Sequence, residues 1–582
     1  MDEISLKLFG KKDVPDEQIA WKLYDRGQGY NSQINLDATV QSNENFYIGK
    51  QWENVEANGL PTVQDNFLKR VVGFITATIT TDNISAVVAP LEATANTKSL
   101  VQLARIVNEE LAALIERNKV QSLIRHYARD AAVRGDGCMY TYWDAKAQTG
   151  QKSNGSIKTE ILENTRVFFG NPADREVQTQ PYIIIEKREI ARRVRARAKA
   201  NGCENWQSIV PDVQGEEVDA AKFTDDLTTV LLTLWRDEET DEIWCFESTI
   251  GCAVKKPWSL GIKLYPICWL NWDYVADSYH GQAIITGLIP NQIATNKMWS
   301  MSVLSSMKNA FPKVVYDSSR IKKWDNRVGT AVGIPGGDVN SVARIIDPAP
   351  ISPQVSQLIT QLVQDTEQSL GATSVAMGDT RPDNTSAIIA LQRAAATPTE
   401  LTKQNLYQSI EDLFRIYMEF MAEYYGKRMV DMEPPDAVKQ AYIFAGQEVP
   451  DEIAAEFDFA VLKDHPMTLK LDVGASSYYS EIAAMSTLDN LLMQGHITVT
   501  EYLERVPESY VPAKKRLIQQ IEARMNQQQS ALPPQEAGGG DMPGVMSGGQ
   551  AAVNGAPQVE VNGGSGYGTL QRKINQTGEV PA

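Results

Sequence analysis

The chain has 582 residues, a formal net charge of −17, 43% apolar and 22% charged residues, enough for several packed units. An acidic balance of this size excludes a conventional nucleic-acid binder with a large basic face, and it suits a wall that a polyanion passes without sticking. The five cysteines (Cys138, Cys203, Cys245, Cys252, Cys268) form no CxxC pair and the four histidines (His126, His280, His465, His496) are scattered, which argues against a zinc ribbon or a His-based centre and reads as reduced, mostly buried thiols.

The first 18 residues, MDEISLKLFGKKDVPDEQ, lack an apolar signal core, and no run approaches the roughly 18 apolar residues of a membrane helix, so the chain reads as soluble. The opening 60 residues read as helical, then loop-like. Residues 66–80, NFLKRVVGFITATIT, are apolar at helical spacing, and Ile84 to Ala89 form a β-branched strand ended by Pro90. Residues 97–134 make a long amphipathic region, with Leu103, Ile106, Val107, Leu111, Leu114 and Ile115 on one face. GDGCMYTYWD at 135–144 predicts a glycine turn followed by a strand, and strand patterns recur at 156–169 and 182–189. KREIARRVRARAK at 187–199 holds seven Lys or Arg; it reads as a solvated helix whose cations answer acids elsewhere, with a nucleic-acid patch as the alternative. Trp-rich strands between 227 and 272 predict an antiparallel sheet.

After Tyr279 the pattern becomes helical over 281–312, with Pro290 either kinking the helix or marking its start. Short strands and turns fill 313–350. A helix follows at 351–370, with Val355, Leu358, Ile359, Leu362, Val363 and Thr366 at i, i+3, i+4, i+7 spacing. The polar, glycine-jointed stretch GATSVAMGDTRPDNTSAIIALQ interrupts the helices at 371–392. A long helix over 386–427 carries Leu406, Ile410, Leu413, Phe414, Tyr417, Phe420, Met421 and Tyr424 on one face, with a kink expected at Pro398. The strand-like TLKLDV and further helices to 528 follow, and the Gly-, Pro- and Gln-rich remainder reads as disordered.

Walker A, GxGxxG, GxSxG and HExxH patterns are absent, and Asp379 and Asp383 read as turn formers rather than a metal pair. No catalytic residue, cofactor or metal is expected, and the chain reads as no enzyme. The order of elements, with FYIGKQW (46–52), PTVQDNFLKRVVG (61–73), RDAAVRGDGCMYTYWD (129–144) and GATSVAMGDTRPDNTSAIIALQ (371–392), resembles the portal protein of tailed double-stranded DNA bacteriophages over most of residues 20–525.

The resemblance implies an α+β multi-domain subunit of a ring of about twelve copies around a channel. In that ring 1–280 would be the wing, 281–311 and 351–370 the stem helices, and 312–350 the clip. Residues 371–386 would be the tunnel loop, 387–475 the long wing helix and return segment, 476–528 the crown and 529–582 a disordered tail. It implies a virion protein at one capsid vertex, assembled in the host cytoplasm. Its partners would be copies of itself, the terminase large subunit, head-completion and tail adaptors, the major capsid and scaffolding proteins, and DNA without sequence preference, with no membrane. Met377, Asp379, Arg381, Asp383 and Asn384 are the tunnel-loop candidates, and Lys297 and Lys308 the channel candidates. Lys313, Arg320, Lys322, Lys323 and Arg327 would serve clip contacts, and Leu358 and Leu362 packing between subunits. A DNA-processing enzyme using Mg²⁺ and an adaptor without a channel are the alternatives.

Overall fold

The computed structural model describes residues 16–82, 84–91, 97–150, 154–212, 217–218, 222–223, 226–310, 313–325, 338, 341–346, 353–372, 399–432, 434, 436–445, 450, 453–465, 467–473, 488–494, 496–506, 517–518 and 521. The chain divides into two units, Met1–Ser486 and Thr487–Ala582.

Three helices open the first unit: α1 (Asp16–Gln33), α2 (Leu36–Ile48) and α3 (Phe67–Ile79). Asn66 caps α3 by accepting the Lys69 amide on its side chain. Phe67, Leu68, Val71, Val72, Ile75 and Ile79 line the buried face of α3, the 3.6-residue period read from the sequence. Strand β1 (Ile84–Pro90) follows, then α4 (Thr97–Arg117) and α5 (Val120–Arg134). The amphipathic region 97–134 is thus two helices. Lys119, at φ 50, turns the chain in the left-handed region, and Asn118 fixes the bend by donating to the Ile157 carbonyl. Helix α5 is central: Tyr127, Ala128, Ala131, Ala132 and Val133 are all fully buried.

Strands β2 (Asp136–Asp144), β3 (Ser156–Leu162), β4 (Val167–Phe169) and β5 (Tyr182–Ile190) lead to α6 (Ala191–Ala200) and a two-residue ladder of β6 (Glu217–Val218) with β7 (Lys222–Phe223). Strands β8 (Leu227–Arg236), β9 (Ile243–Thr249), β10 (Cys252–Ser259) and β11 (Ile267–Asn271) follow. They form an antiparallel sheet of order β10-β9-β8-β5-β4. Strand β11 leaves that series to pair with β2 in a second sheet, β11-β2-β3. The expected antiparallel sheet over 227–272 is therefore shared between two layers.

The basic run 187–199, read as one solvated helix, is split: 187–190 end strand β5 and 191–199 lie in α6, while several of its cations answer acids as that reading expected. Lys187 pairs with Glu160 at 2.6 Å, Arg188 with Glu186 at 3.5 Å, and Arg197 with Glu189 and Glu247. Val194 and Ala198 turn the apolar side of α6 onto Ile209, Val230 and Val254. The same packing brings Cys203 to Cys252, 49 residues on, with Cα atoms 7.5 Å apart, and the two are joined as a disulfide. Reduced, buried thiols thus describe Cys138, Cys245 and Cys268 but not this pair.

Helix α7 (Ile284–Ala310) runs through Pro290 without ending. The hairpin of β12 (Lys313–Tyr316) and β13 (Ala343–Ile346) separates it from α8 (Pro353–Ser369). Helix α9 (Glu400–Tyr424) buries Leu406, Ile410, Leu413, Phe414, Tyr417, Phe420 and Met421, the face read from sequence, with Tyr424 at its edge. Strand β14 (Lys427–Met432), helix α10 (Asp436–Phe444), strand β15 (Ile453–Asp458) and strand β16 (Met467–Val473) close the unit. Strand β14 pairs with β15, and β16 returns to pair antiparallel with β1. In the second unit, a reciprocal capping box of Thr498 and Glu501 opens α11 (Val499–Arg505).

Candidate functional site

The chain enters α7 through a junction built from two glycines and one buried acid. Gly135 has φ +99, and a Cβ there would stand 2.6 Å from the Gly281 carbonyl. Backbones that cross this closely tolerate only glycine. Beside them Asp136, 1% exposed, accepts hydrogen bonds from Asn271 (2.8 Å), the Gly281 amide (2.6 Å) and Asn164 (3.1 Å). Its Oδ2 also lies 2.7 Å from Nδ1 of the buried His280. The carboxylate thus ties the starts of β2 and α7 to the end of β11, and its desolvation is offset by polar contacts.

The first half of α7 is bolted to the wall of α2 and α3. Ile285, Leu288, Gln292, Thr295, Asn296 and Ser300 form its buried stripe. Gln292 donates to the Asp65 carbonyl and accepts from the Leu68 amide, while Asn296 donates to Gln51 at 2.7 Å. Beyond Ser300 no α7 residue is buried. The helix is about 40 Å long at the usual rise, and its second half is half-buried or exposed among the described residues.

Helix α8 returns beside α7, joined by Asn291 donating to Thr366 at 3.1 Å. The regular spacing on α8 predicts a continuous buried stripe, yet only Ile359, Thr366 and Glu367 are buried. Leu358 is 53% exposed, and Leu362 is half-buried. On α7, Trp299, Met301 and Met307 are exposed as well, and on β12 so is Val315. At 100° per residue Met301 points about 160° away from Trp299. The hairpin therefore shows apolar side chains on opposite sides.

Its charge is distinctive. Residues 284–310 contain no acid, and their cations are Lys297 and Lys308. Eleven positions apart, these share one face, about 16 Å along the axis and opposite the buried stripe. Lys297 is half-buried and Lys308 exposed. Lys308 lies in the last turn, where the helix dipole favours a cation. On α8 the acids begin only at Asp365.

Among the clip candidates, Arg320 is engaged with Asp317 at 3.6 Å and with Ser341 at 3.5 Å. Lys322 and Lys323 are exposed on the turn after β12, beside the stacked rings of Tyr316 and Trp324. The Lys313 backbone pairs with Ile346 in the hairpin. Arg327, Met377, Asp379, Arg381, Asp383, Asn384 and the kink residue Pro398 lie outside the described residues. Among the described residues the candidates do not converge on one pocket. They are distributed along a projecting hairpin, and the polar bolts that hold its base were not singled out from the sequence. Their partners are remote in sequence, and only the GDG turn signalled one of them.

A separate cavity of about 370 Å³ lies between α9 and β11, lined by Arg175, Glu176, Tyr274, Gln408, Asp412 and Arg415 among others. Burial is the main influence raising the Asp412 carboxyl to about 6, with Glu176 and Glu411 adding to it against Arg415. Among the described residues no group of three or more His, Cys, Asp or Glu could hold a metal ion, and no helix is long and apolar enough to cross a membrane.

Residues 188–430 match the family model of the phage P22-like portal protein. The matched span contains all of α7, β12, β13, α8 and α9. The match supports a phage portal protein, as the resemblance implied. No curated protein matches the chain.

Proposed function

We propose that the chain is the subunit of a portal ring of about twelve copies, set at one capsid vertex of a phage. The ring would conduct double-stranded DNA during packaging, hold it and release it on ejection. The observation that carries this reading is the α7–α8 hairpin, whose apolar residues on opposite sides stay exposed among the described residues. Two different faces on one element suit head-to-tail contacts, the kind that close into a ring, rather than a two-fold dimer. The family match over 188–430 supports the same reading.

On this reading 281–311 and 351–370, which hold α7 and α8, are the stem, and 312–350, with the β12–β13 hairpin, is the clip. Arg320, Lys322, Lys323 and Lys313, with Arg327, would face the terminase motor and later the tail adaptors. Residues 371–386 would project toward the axis as the tunnel loop, with Met377, Asp379, Arg381, Asp383 and Asn384 nearest the DNA. Lys297 and Lys308 would touch phosphates without reading bases. A ring of twelve copies at −17 each carries about −200 in total, so the remaining surface does not hold the DNA.

Native mass spectrometry and negative-stain imaging of the purified chain test the reading. Rings of about twelve subunits with a central hole are expected. A monomer or dimer at high concentration would overturn it. Removing residues 374–384 should leave rings intact while lowering the amount of DNA packaged; unchanged packaging would remove the tunnel-loop role.

A further inference from the structure

Helix α3 touches every element that brackets residues 373–398. Arg70, in its first turn, forms an ion pair with Glu367 near the end of α8. The Glu367 side chain is only 10% exposed, so its charge depends on that partner. Three residues past the end of α3, buried Asp82 takes Lys403 of α9 at 2.6 Å and the Tyr407 hydroxyl of the same helix. Burial and the Asp82 carboxylate hold the Tyr407 phenol protonated, as a donor. The amide of Leu68 and the carbonyl of Asp65, at the start of α3, meanwhile hold Gln292 of α7.

The geometry is unusual for plain surface ion pairs, which hold their partners loosely. Glu367 and Lys403 stand 36 positions apart, yet one is held from the first turn of α3 and the other by Asp82, three residues past its end. From Arg70 to the end of α3 the helix runs about 14 Å, and Asp82 follows after the turn. The same helix packs Val71, Val72 and Ile75 into the main core, so it has little freedom to shift alone. We infer that α3 and the turn that follows it form a spacer clamp: Arg70 and Asp82 are positioning residues that set the distance between the end of α8 and the start of α9, and a displacement at either anchor is felt at the other. The coupling stands apart from the portal reading, which supplies only its use: the spaced ends would carry the channel-facing segment.

Hydrogen exchange measured by mass spectrometry on the full chain tests the clamp. Arg70→Met should speed exchange in 362–369 and also in 403–410, about tenfold, the size expected when one charge-assisted hydrogen bond is lost. Asp82→Asn should do the reverse, loosening 403–410 and then 362–369. Peptides from 120–134 should stay unchanged in both. The charge swap R70E/E367R should restore protection at both ends; Glu367→Gln, which keeps the shape and removes the charge, should reproduce the Arg70→Met pattern if the swap does not fold. Effects confined to the mutated end would overturn the coupling and leave two local ion pairs. Subunit count on the same samples reports on the portal reading separately: a wild-type chain that never forms rings sinks that reading and leaves the exchange result standing.

Discussion

The α3–α5–α9 core and the distal α7–α8 hairpin use similar helical patterns for opposite ends. In the core, the apolar stripes meet one another: Val71, Tyr127, Leu413 and Phe414 are all fully buried. In the hairpin, the same kind of residue at the same spacing stays open, with Leu358 at 53% and Met307 at 55% exposure. Exposed apolar residues are ordinary one at a time. A projecting helix pair that leaves several on two sides is not a finished surface. On the portal reading, the difference would separate what one subunit completes from what a neighbour covers.

The largest effect should therefore come from the core. Phe414→Ala removes a fully buried ring and should lower unfolding stability by about 3–5 kcal/mol in denaturant titration. Leu358→Ala should change monomer stability by no more than about 0.5 kcal/mol. Equal losses at the two sites would break the comparison. Asp136→Ala comes next. It strips partners from Asn271, Asn164, His280 and the Gly281 amide, and should lose about 3 kcal/mol, since buried polar groups are left unpaired. A loss under about 1 kcal/mol, the size of a surface contact, would show that water replaces the acid.

Leu358→Asp and Leu362→Asp sharpen the contrast from the other side. Both positions are open enough for a carboxylate to stay hydrated in the free subunit, so folding should survive, by circular dichroism and melting point. In a ring the same charge would be buried without a partner, and native mass spectrometry should show the loss of rings. Normal rings from both variants would remove α8 from the subunit contact.

The two regions were also unequally legible in the sequence. Face patterns came through where the period alone decides: Leu406 to Met421 on α9 and Val71 to Ile79 on α3 are buried as their spacing implies. The break at Lys119 did not, because neither Gly nor Pro marks it and a left-handed lysine depends on the Asn118 contact to Ile157. The departure of β11 to a second sheet is a choice between remote partners, which local alternation cannot express. The regular stripe on α8 was visible, whereas its exposure followed only from the resemblance, which set Leu358 and Leu362 against a neighbouring subunit. Periodicity reports that a face is apolar and says nothing about which chain covers it. The bolts of Gln292, Asn296, Glu367 and Asp82 stayed hidden for a related reason. Polar residues at helical spacing look like solvated surface until their partners arrive from far along the chain.

The smallest effect lies at the border of the core, in the cavity beside α9. Asp412 has a folded pKa of about 6, raised chiefly by burial, against roughly 3.9 for an unfolded aspartate. The folded state thus holds the proton more tightly. Below pH ~4 both states are protonated and the acid is neutral in its effect; as pH rises from ~4 to ~6 the unfolded chain ionises first and stability falls. Asp412→Asn should remove that fall. The variant should match the wild type near pH 4 and exceed it at pH 7, by less than about 1 kcal/mol because the side chain is partly open to solvent. Denaturant titrations at the two pH values measure the difference. A gap that does not widen with pH would mean that Arg415 and Arg175, which share the cavity, already compensate the charge. The carboxylate would then belong with the balanced ion pairs of the surface rather than with the crowded edge of the core.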